Sequence, residues 1–441
     1  MHRYVRHITL FLLTAGCGSS ATNQTALGGT SVAGAPSAAG GASTAGGAST
    51  AGGASTAGGA STAGGASTAG GASTTGGAST TGGASATGGA SAAAGTAGAS
   101  IPAPHAVLPC PNAGPIGTWE NITPPGGADG AGIATQAFVV DSVNAGTVYV
   151  ALVKENPEGK RGIWKTTDCG ATWVHVNTGT LGGEVDAAGH WAMAIDFVDP
   201  QILYTANGYG TNGIFKSTNG GVDWQQMFPP DIASQFVFGG FIERITMDPT
   251  DHLHLIVSPH FTCTDSQSCL AETKDGGATW RILHGTPESS EDTGQMMIDS
   301  KVWLWGGTFI GLYRTGDGGG TWTKVADGNS SDSLYHAKDG SYYVAHPFGV
   351  LHSSDSISWT LIPNSAGGRS IIGDGTTLFT SNRSASDKPY YSALESDPSK
   401  WSPYAVSPNV TKGGWIMGYD NDHHILYSST ESNGFWRIVT R

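Results

Sequence analysis

The sequence predicts an all-β fold: a single seven-bladed β-propeller of four-stranded blades, with the ring closed by an N-terminal strand and a disordered stalk ahead of it. Three observations carry this expectation. A unit first seen as "GIWKTTDCGATW" (162–173) returns as "GIFKSTNGGVDW" (213–224) and "GLYRTGDGGGTW" (311–322). The tryptophans that end the copies, Trp173, Trp224, Trp280, Trp322, Trp359 and Trp401, lie 51, 56, 42, 37 and 42 residues apart, each interval long enough for four short strands. Residues 18–104 carry almost none of the large apolar side chains that a core needs.

Taken in chain order, residues 1–16 carry Arg3 and Arg6, a short apolar run from Ile8 to Leu13, then small residues. This reads as a secretory signal, too short to span a bilayer as a stable helix. Its end, "LTAGC", resembles the lipobox of bacterial lipoproteins. The resemblance makes Cys17 the lipidated first residue of the mature chain, and Gly18 after it implies the outer membrane or cell surface. Residues 17–104 are almost entirely Gly, Ala, Ser and Thr, with "AGGAST" recurring. Such a segment cannot offset the entropy of ordering and is expected to be a flexible tether.

The third segment, 105–441, holds all the charge outside the signal. Of 441 residues, 21 are basic and 34 acidic; without Arg3 and Arg6 the balance is 19 against 34, or −15. A surface this acidic argues against nucleic acid and against anionic lipid as partners. The propeller is expected to be a monomer that needs no cofactor.

The repeat reads Ser/Thr, any, Asp, any, Gly, two more, Trp. It fits Thr166-Asp168-Gly170-Trp173, Thr273-Asp275-Gly277-Trp280 and Thr315-Asp317-Gly319-Trp322, and with Asn219 for Asp it fits Ser217 to Trp224. Two shortened copies follow, "SSDSISW" (353–359) and "ESDPSKW" (395–401). A carboxylate accepting backbone N–H groups and a Gly with unusual dihedrals close a hairpin, and the Trp packs back between sheets. The unit resembles the Asp-box, or BNR repeat, of sialidase-like and xyloglucanase-like β-propellers. That resemblance gives Asp168, Asn219, Asp275 and Asp317 a structural role on one face and puts ligands on the other.

Third strands are expected to begin near Gly162, Gly213, Cys269, Gly311, Gly349, Pro389 and Gly434, which makes seven blades. The last lacks a fourth strand, and "GTWENI" (117–122) is a strand without a blade, so the two should pair. Cys263 and Cys269 flank a short loop and are expected to bridge. Cys110 and Cys169 would staple the closure, as suits an exported chain.

The seven innermost strands align on their closing Asp: "AFVVD", "AMAID", "RITMD", "QMMID", "HAKD", "SIIGD" and "IMGYD". Strict alternation would then bring Gln136, Trp191, Glu243, Gly294, Leu334, Arg369 and Trp415 to the channel mouth. Loops add His190, His260, Phe309, His346 and Arg383. Trp faces beside charged and amide groups suit sugar rings. The spacing of His and Cys matches no zinc site, and "YDNDHH" (419–424) reads as a hairpin turn, so no metal is expected.

For chemistry, Glu243 is the leading carboxylate, with Asp186 (or Glu184) as a second for hydrolysis. His190, His260 and His346, with Arg244, Arg369 or Arg383, would supply instead the base and cation of a polysaccharide lyase. Trp191, Arg369, Trp415, Gln136, His346, Arg383 and Phe309 would bind substrate. The resemblance to sialidases stops short of their arginine triad, since "ERIT" (243–246) lacks the expected Pro. Asp-box xyloglucanases place acid and base across a cleft between two propellers, and this sequence accounts for one. The expectation is a surface-tethered, carbohydrate-active propeller of hydrolase or lyase type. The alternative is a non-catalytic glycan- or protein-binding propeller.

Overall fold

The computed structural model describes residues 110–125, 137–152, 162–209, 213–236, 241–260, 262–265, 268–287, 294–307, 310–328, 333–382, 388–430 and 434–441. Cys17, the tether, Gln136, Phe309 and Arg383 lie outside them. No helix among the described residues is long and apolar enough to cross a membrane.

These residues form seven antiparallel four-stranded sheets, six of them running in chain order from an inner to an outer strand. Blade 1 is β2 (Ala137–Val140), β3 (Val148–Leu152), β4 (Gly162–Thr166) and β5 (Val174–His175). After α1 (Gly182–Asp186), blade 2 is β6 (Gly189–Ile195), β7 (Leu203–Tyr209), β8 (Gly213–Ser217) and β9 (Gln225–Gln226). After α2 (Pro230–Ala233), blade 3 is β10 (Ile242–Asp248), β11 (Asp251–Pro259), β12 (Cys269–Thr273) and β13 (Arg281–His284). Blade 4 is β14 (Gly294–Met297), β15 (Trp303–Gly307), β16 (Gly311–Thr315) and β17 (Thr323–Ala326). Blade 5 is β18 (Leu334–His336), β19 (Tyr342–His346), β20 (Gly349–Ser353) and β21 (Thr360–Leu361). Blade 6 is β22 (Ser370–Gly373), β23 (Thr377–Ser381), β24 (Tyr390–Leu394) and β25 (Asp397–Pro403). Blade 7 is β26 (Ile416–Asp420), β27 (Ile425–Ser429) and β28 (Phe435–Val439), completed by β1 (Trp119–Asn121). Third strands begin where expected, the last two one residue later, at Tyr390 and Phe435.

The second and third strands are buried on both faces, and their apolar side chains fill the spaces between blades. In blades 1, 3 and 4 the repeated turn closes the outer hairpin with one hydrogen-bond pattern. The Thr166 hydroxyl donates to Asp168 Oδ1 at 2.7 Å and accepts the Gly170 N–H at 2.8 Å. Thr172 donates its N–H and hydroxyl to the Asp168 carboxylate at 2.8 and 2.6 Å. The pattern recurs around Asp275 and Asp317. Gly170 turns through the left-handed region at φ 97°, where a side chain is strained. In the shortened copy, Ser356 takes this place at φ 62°. The indole N–H of Trp224, Trp280, Trp359 and Trp401 donates to the carbonyl three residues earlier.

These turns share a face with the turns between first and second strands. Cys169 donates its N–H to Gly146 O at 2.9 Å, Gly276 to Leu253 O at 2.8 Å and Gly318 to Lys301 O at 2.9 Å. The starts of the inner strands and the connections between second and third strands therefore occupy the opposite face.

The closing Asp of the inner strands ties blades together. Asp196 Oδ1 accepts the Val198 and Asp199 N–H groups of its own turn, while Oδ2 meets His252 Nδ1 of blade 3 at 2.7 Å. Asp374 caps Thr376 and Thr377 and accepts the Tyr419 hydroxyl of blade 7 at 3.1 Å. Asp420 caps its own turn and accepts the Gly146 N–H of blade 1 at 2.8 Å.

The ring closes through β1 on β28, pairing Glu120 with Arg437. Buried Arg437 donates to the Glu120 carboxylate at 2.9 Å and to the carbonyls of Cys169 and Asn112 at 2.8 Å each. The Cys110–Cys169 disulfide locks this seam across 59 residues, and Cys263–Cys269 forms the second bridge.

Candidate functional site

A cavity of about 510 Å³ runs along the propeller axis, within the size range of small-ligand sites. Trp191, Arg244, Trp415 and Ser370 border it toward the face opposite the repeated turns, and Tyr335, His336 and Tyr419 toward the other.

The side chains at the mouth are set by two irregular inner strands. In β10 the register shifts between Ile242 and Arg244, so strict alternation fails at Glu243. The bulge buries Glu243, 1% exposed, and brings Arg244 to the cavity instead. A second pair of shifts in β6, around His190 and Ala192, sets Trp191. Glu243 Oε2 lies 3.0 Å from His260 Nδ1, and its other oxygen 3.6 Å from the Arg244 guanidinium. The His260 ring stacks on Phe241, centroids 4.7 Å apart and 18° between planes, with Trp191 5.6 Å from both rings. A carboxylate can only accept, so with Glu243 ionised the proton of this bond sits on His260 Nδ1. Across the mouth, the Arg369 guanidinium lies 5.1 Å from the centre of the Trp415 ring, a cation–π contact.

The other expected residues sit elsewhere. His190 is fully buried, with one ring nitrogen 2.9 Å from the Thr205 hydroxyl and the other 2.9 Å from Val185 O. Burial pushes its pKa down to about 4, so it is a neutral strut beneath the α1 loop. Asp186 ends α1, where its Oδ1 meets His175 Nε2 at 2.9 Å and the Asn177 amide at 2.6 Å. Its carboxylate thus serves the start of blade 1's third strand, not a pair with Glu243. Glu184 is exposed on α1. His346 is buried, which lowers its pKa; its Nδ1 accepts the Phe348 N–H at 3.0 Å, fixing the proton on Nε2. Among the described residues, one group of three metal-type side chains lies close together: Cys110, Cys169 and His423. Two of its three members are spent in a disulfide.

Sequence reasoning did not single out Phe241, Tyr335 or Tyr419. The first lies one residue ahead of its strand, and the other two sit on inner strands read only at one register position. No carboxylate borders the cavity among the described residues, and neither does His260; Trp191 and Arg244, which flank the Glu243–His260 pair, do.

No family model matches the chain. A xyloglucanase from Paenibacillus sp is 26% identical over 276 residues, which are 53% of this chain and 25% of that protein. The chain thus spans about a quarter of the length of this curated relative. Among solved structures, the GH74 enzyme of Niastella koreensis superposes with a TM-score of 0.53 at 17% identity, over 73% of this chain and 53% of that one. The GH74 xyloglucanase of Xanthomonas campestris gives 0.50 at 16% identity, over 74% and 54%. A YCF48 protein bound to a D1 peptide gives 0.50 at 14%, over 76% of this chain and all of that one. These likenesses show the fold: a seven-bladed propeller similar to those of GH74 enzymes.

Proposed function

We propose that this propeller binds a polysaccharide at the channel mouth and cleaves it, with His260 as base and Arg244 as the neighbouring cation. The observation that carries the reading is the His260–Glu243 pair at 3.0 Å, walled by Phe241 and Trp191 and next to Arg244. Hydrolysis by paired carboxylates needs a second acid at fixed separation. None borders the cavity among the described residues. Elimination from a uronate unit needs one base and one cation. His260 Nε2 takes the proton α to the uronate carboxylate, a carbon–carbon double bond forms, and the bond to the leaving glycosidic oxygen breaks. That oxygen takes up a proton, while Arg244 offsets the charge that builds on the carboxylate. Glu243 acts by holding the His260 tautomer and stabilising the imidazolium, as a carboxylate does behind a catalytic histidine.

The likeness to a xyloglucanase supports a polysaccharide as substrate and leaves the bond-breaking chemistry to the site. A panel of xyloglucan, other neutral glycans and uronate polymers, assayed for reducing ends and for unsaturated uronates, tests it. Unsaturated ends from a uronate polymer are expected; reducing ends from neutral glycans alone would favour hydrolysis, and no cleavage would remove the enzymatic reading.

A second reading is a binding propeller without catalysis. It is favoured by the match to the full length of a peptide-bound YCF48 chain, against about half of the GH74 structures. On either reading the expected lipid anchor at Cys17 and the Gly/Ala/Ser/Thr tether would hold the propeller at the outer membrane or cell surface, as a monomer. Labelling with a radioactive fatty acid, abolished by Cys17→Ala, tests the anchor.

A further inference from the structure

We propose that the Cys263–Cys269 disulfide is a positioning element of the mouth, holding His260 against Glu243, an inference that rests on the site reading above. The two cysteines are 1% and 0% exposed and only six residues apart. A loop this short restricts the unfolded chain little compared with the 59-residue closure at the seam, so a purely global stabilising role is a poor account of it.

Its local connections are specific. Cys269 opens β12 and pairs with His284, so one end of the bridge is fixed in the blade 3 sheet. Cys263 forms an isolated bridge with Phe236, and Thr264 donates its N–H to Gln235 O at 2.8 Å. The bridge therefore ties the connection after β11 to the segment that carries α2 and leads into β10. Phe236 stacks on Phe228 at 5.5 Å, and Ile232, Cys263 and Cys269 belong to the same apolar cluster. His260 and Phe241 sit where these two segments meet: His260 donates its N–H to Phe241 O at 3.0 Å, and Ile242 pairs with Pro259. His260 and its Phe241 wall thus lie on the two segments that meet at the Cys263–Phe236 bridge, and the disulfide fixes Cys263 there to the start of β12. A base displaced by about 1 Å loses roughly a hundredfold in rate, so a staple within a few residues of it bears on turnover as well as on folding.

The test uses the full chain with Cys263→Ala/Cys269→Ala, and with Cys263→Val/Cys269→Ala, which keeps the apolar cluster filled. Amide exchange at His260 and Thr264 is followed by NMR, and kcat, KM and the pH profile of kcat/KM are measured on a uronate polymer. With cooperative unfolding retained, protection at His260 is expected to fall selectively and kcat/KM to drop by roughly ten- to a hundredfold, through kcat. Unchanged protection and unchanged kcat would overturn the proposal. Should neither variant fold, amide exchange of the wild type is compared with and without a thiol reductant. Selective loss of protection at His260 and Thr264 is expected, and equal protection would overturn it. A wild type that cleaves nothing, with protection at His260 still lost on removing the disulfide, would sink the enzymatic reading and leave the staple standing.

Discussion

At the scale of single residues, buried histidines are put to opposite uses. His190 is surrounded by neutral partners and stays uncharged. His254, 1% exposed, lies between Asp248 Oδ2 and Glu272 Oε1, each 2.9 Å away, and Glu272 also meets Lys274 at 3.4 Å and Arg281. Burial alone would lower the pKa of His254; the hydrogen bonds it donates to Glu272 and Asp248 outweigh it and raise the pKa. Its stabilising contribution is complete below the ordinary histidine pKa and is lost as pH rises through the raised folded value. Urea unfolding at rising pH should therefore show a loss that His254→Gln lacks. His254→Ala, which strands two buried carboxylates, should cost about 3–5 kcal/mol near neutral pH. Equal stability of wild type and His254→Ala would show that the cluster is not charged. The mouth shows what residue-level reading missed. Trp191 and Trp415 border the channel, Trp191 from a strand with its own register shifts, while the bulge in β10 buried Glu243 and brought Arg244 there. A bulge leaves no mark in the spacing of apolar residues, so the contact between Glu243 and His260, 17 residues apart, emerges only in three dimensions.

At the scale of the element, the turn was legible because its chemistry is local: hydroxyl, carboxylate, glycine and indole all bond within a few residues. The one copy with Asn is instructive. Asn219 accepts the Ser217 hydroxyl at 3.0 Å and the Asp223 N–H at 2.9 Å, while its amide donates to Asp223 Oδ2 at 2.7 Å. Elsewhere Asp faces Thr; here Asn faces Asp, and the donor and acceptor have changed places. Asn219→Asp would oppose two carboxylates and should lower Tm by about 1–2 °C. Asn219→Asp/Asp223→Thr should recover most of that, measured by calorimetry. Losses that simply add would show the pair to be uncoupled. The carboxylates of these turns are robust to acid: hydrogen bonds from Thr315, then Thr321, hold Asp317 down at about 2. The support they give is complete above the ordinary Asp range and fades as pH falls toward 2.

At the scale of the molecule, blade number and closure followed from counting third strands, because six of the seven blades spend their outer hairpin on a recognisable turn and the seventh ends on a third strand. The aspartate links between inner strands were visible as an alignment, but their second oxygen reaches the next blade, a role that spacing does not reveal. The closure concentrates several interactions on one seam: β1 on β28, the three bonds from Arg437, and the 59-residue disulfide. Cys110→Ala/Cys169→Ala should cost about 2–4 kcal/mol in urea unfolding, with early amide exchange at Trp119–Asn121. Unchanged exchange there would mean that the sheet pairing alone holds the ring. The central claim is that the mouth opposite the repeated turns carries a histidine base steered by Glu243. It is tested most directly by the rate at which the full chain releases unsaturated uronate ends from a uronate polymer, compared with Glu243→Gln and His260→Ala of unchanged Tm. His260→Ala should abolish release and Glu243→Gln should reduce it by roughly 10²–10⁴-fold; full activity in both variants would place the chemistry elsewhere.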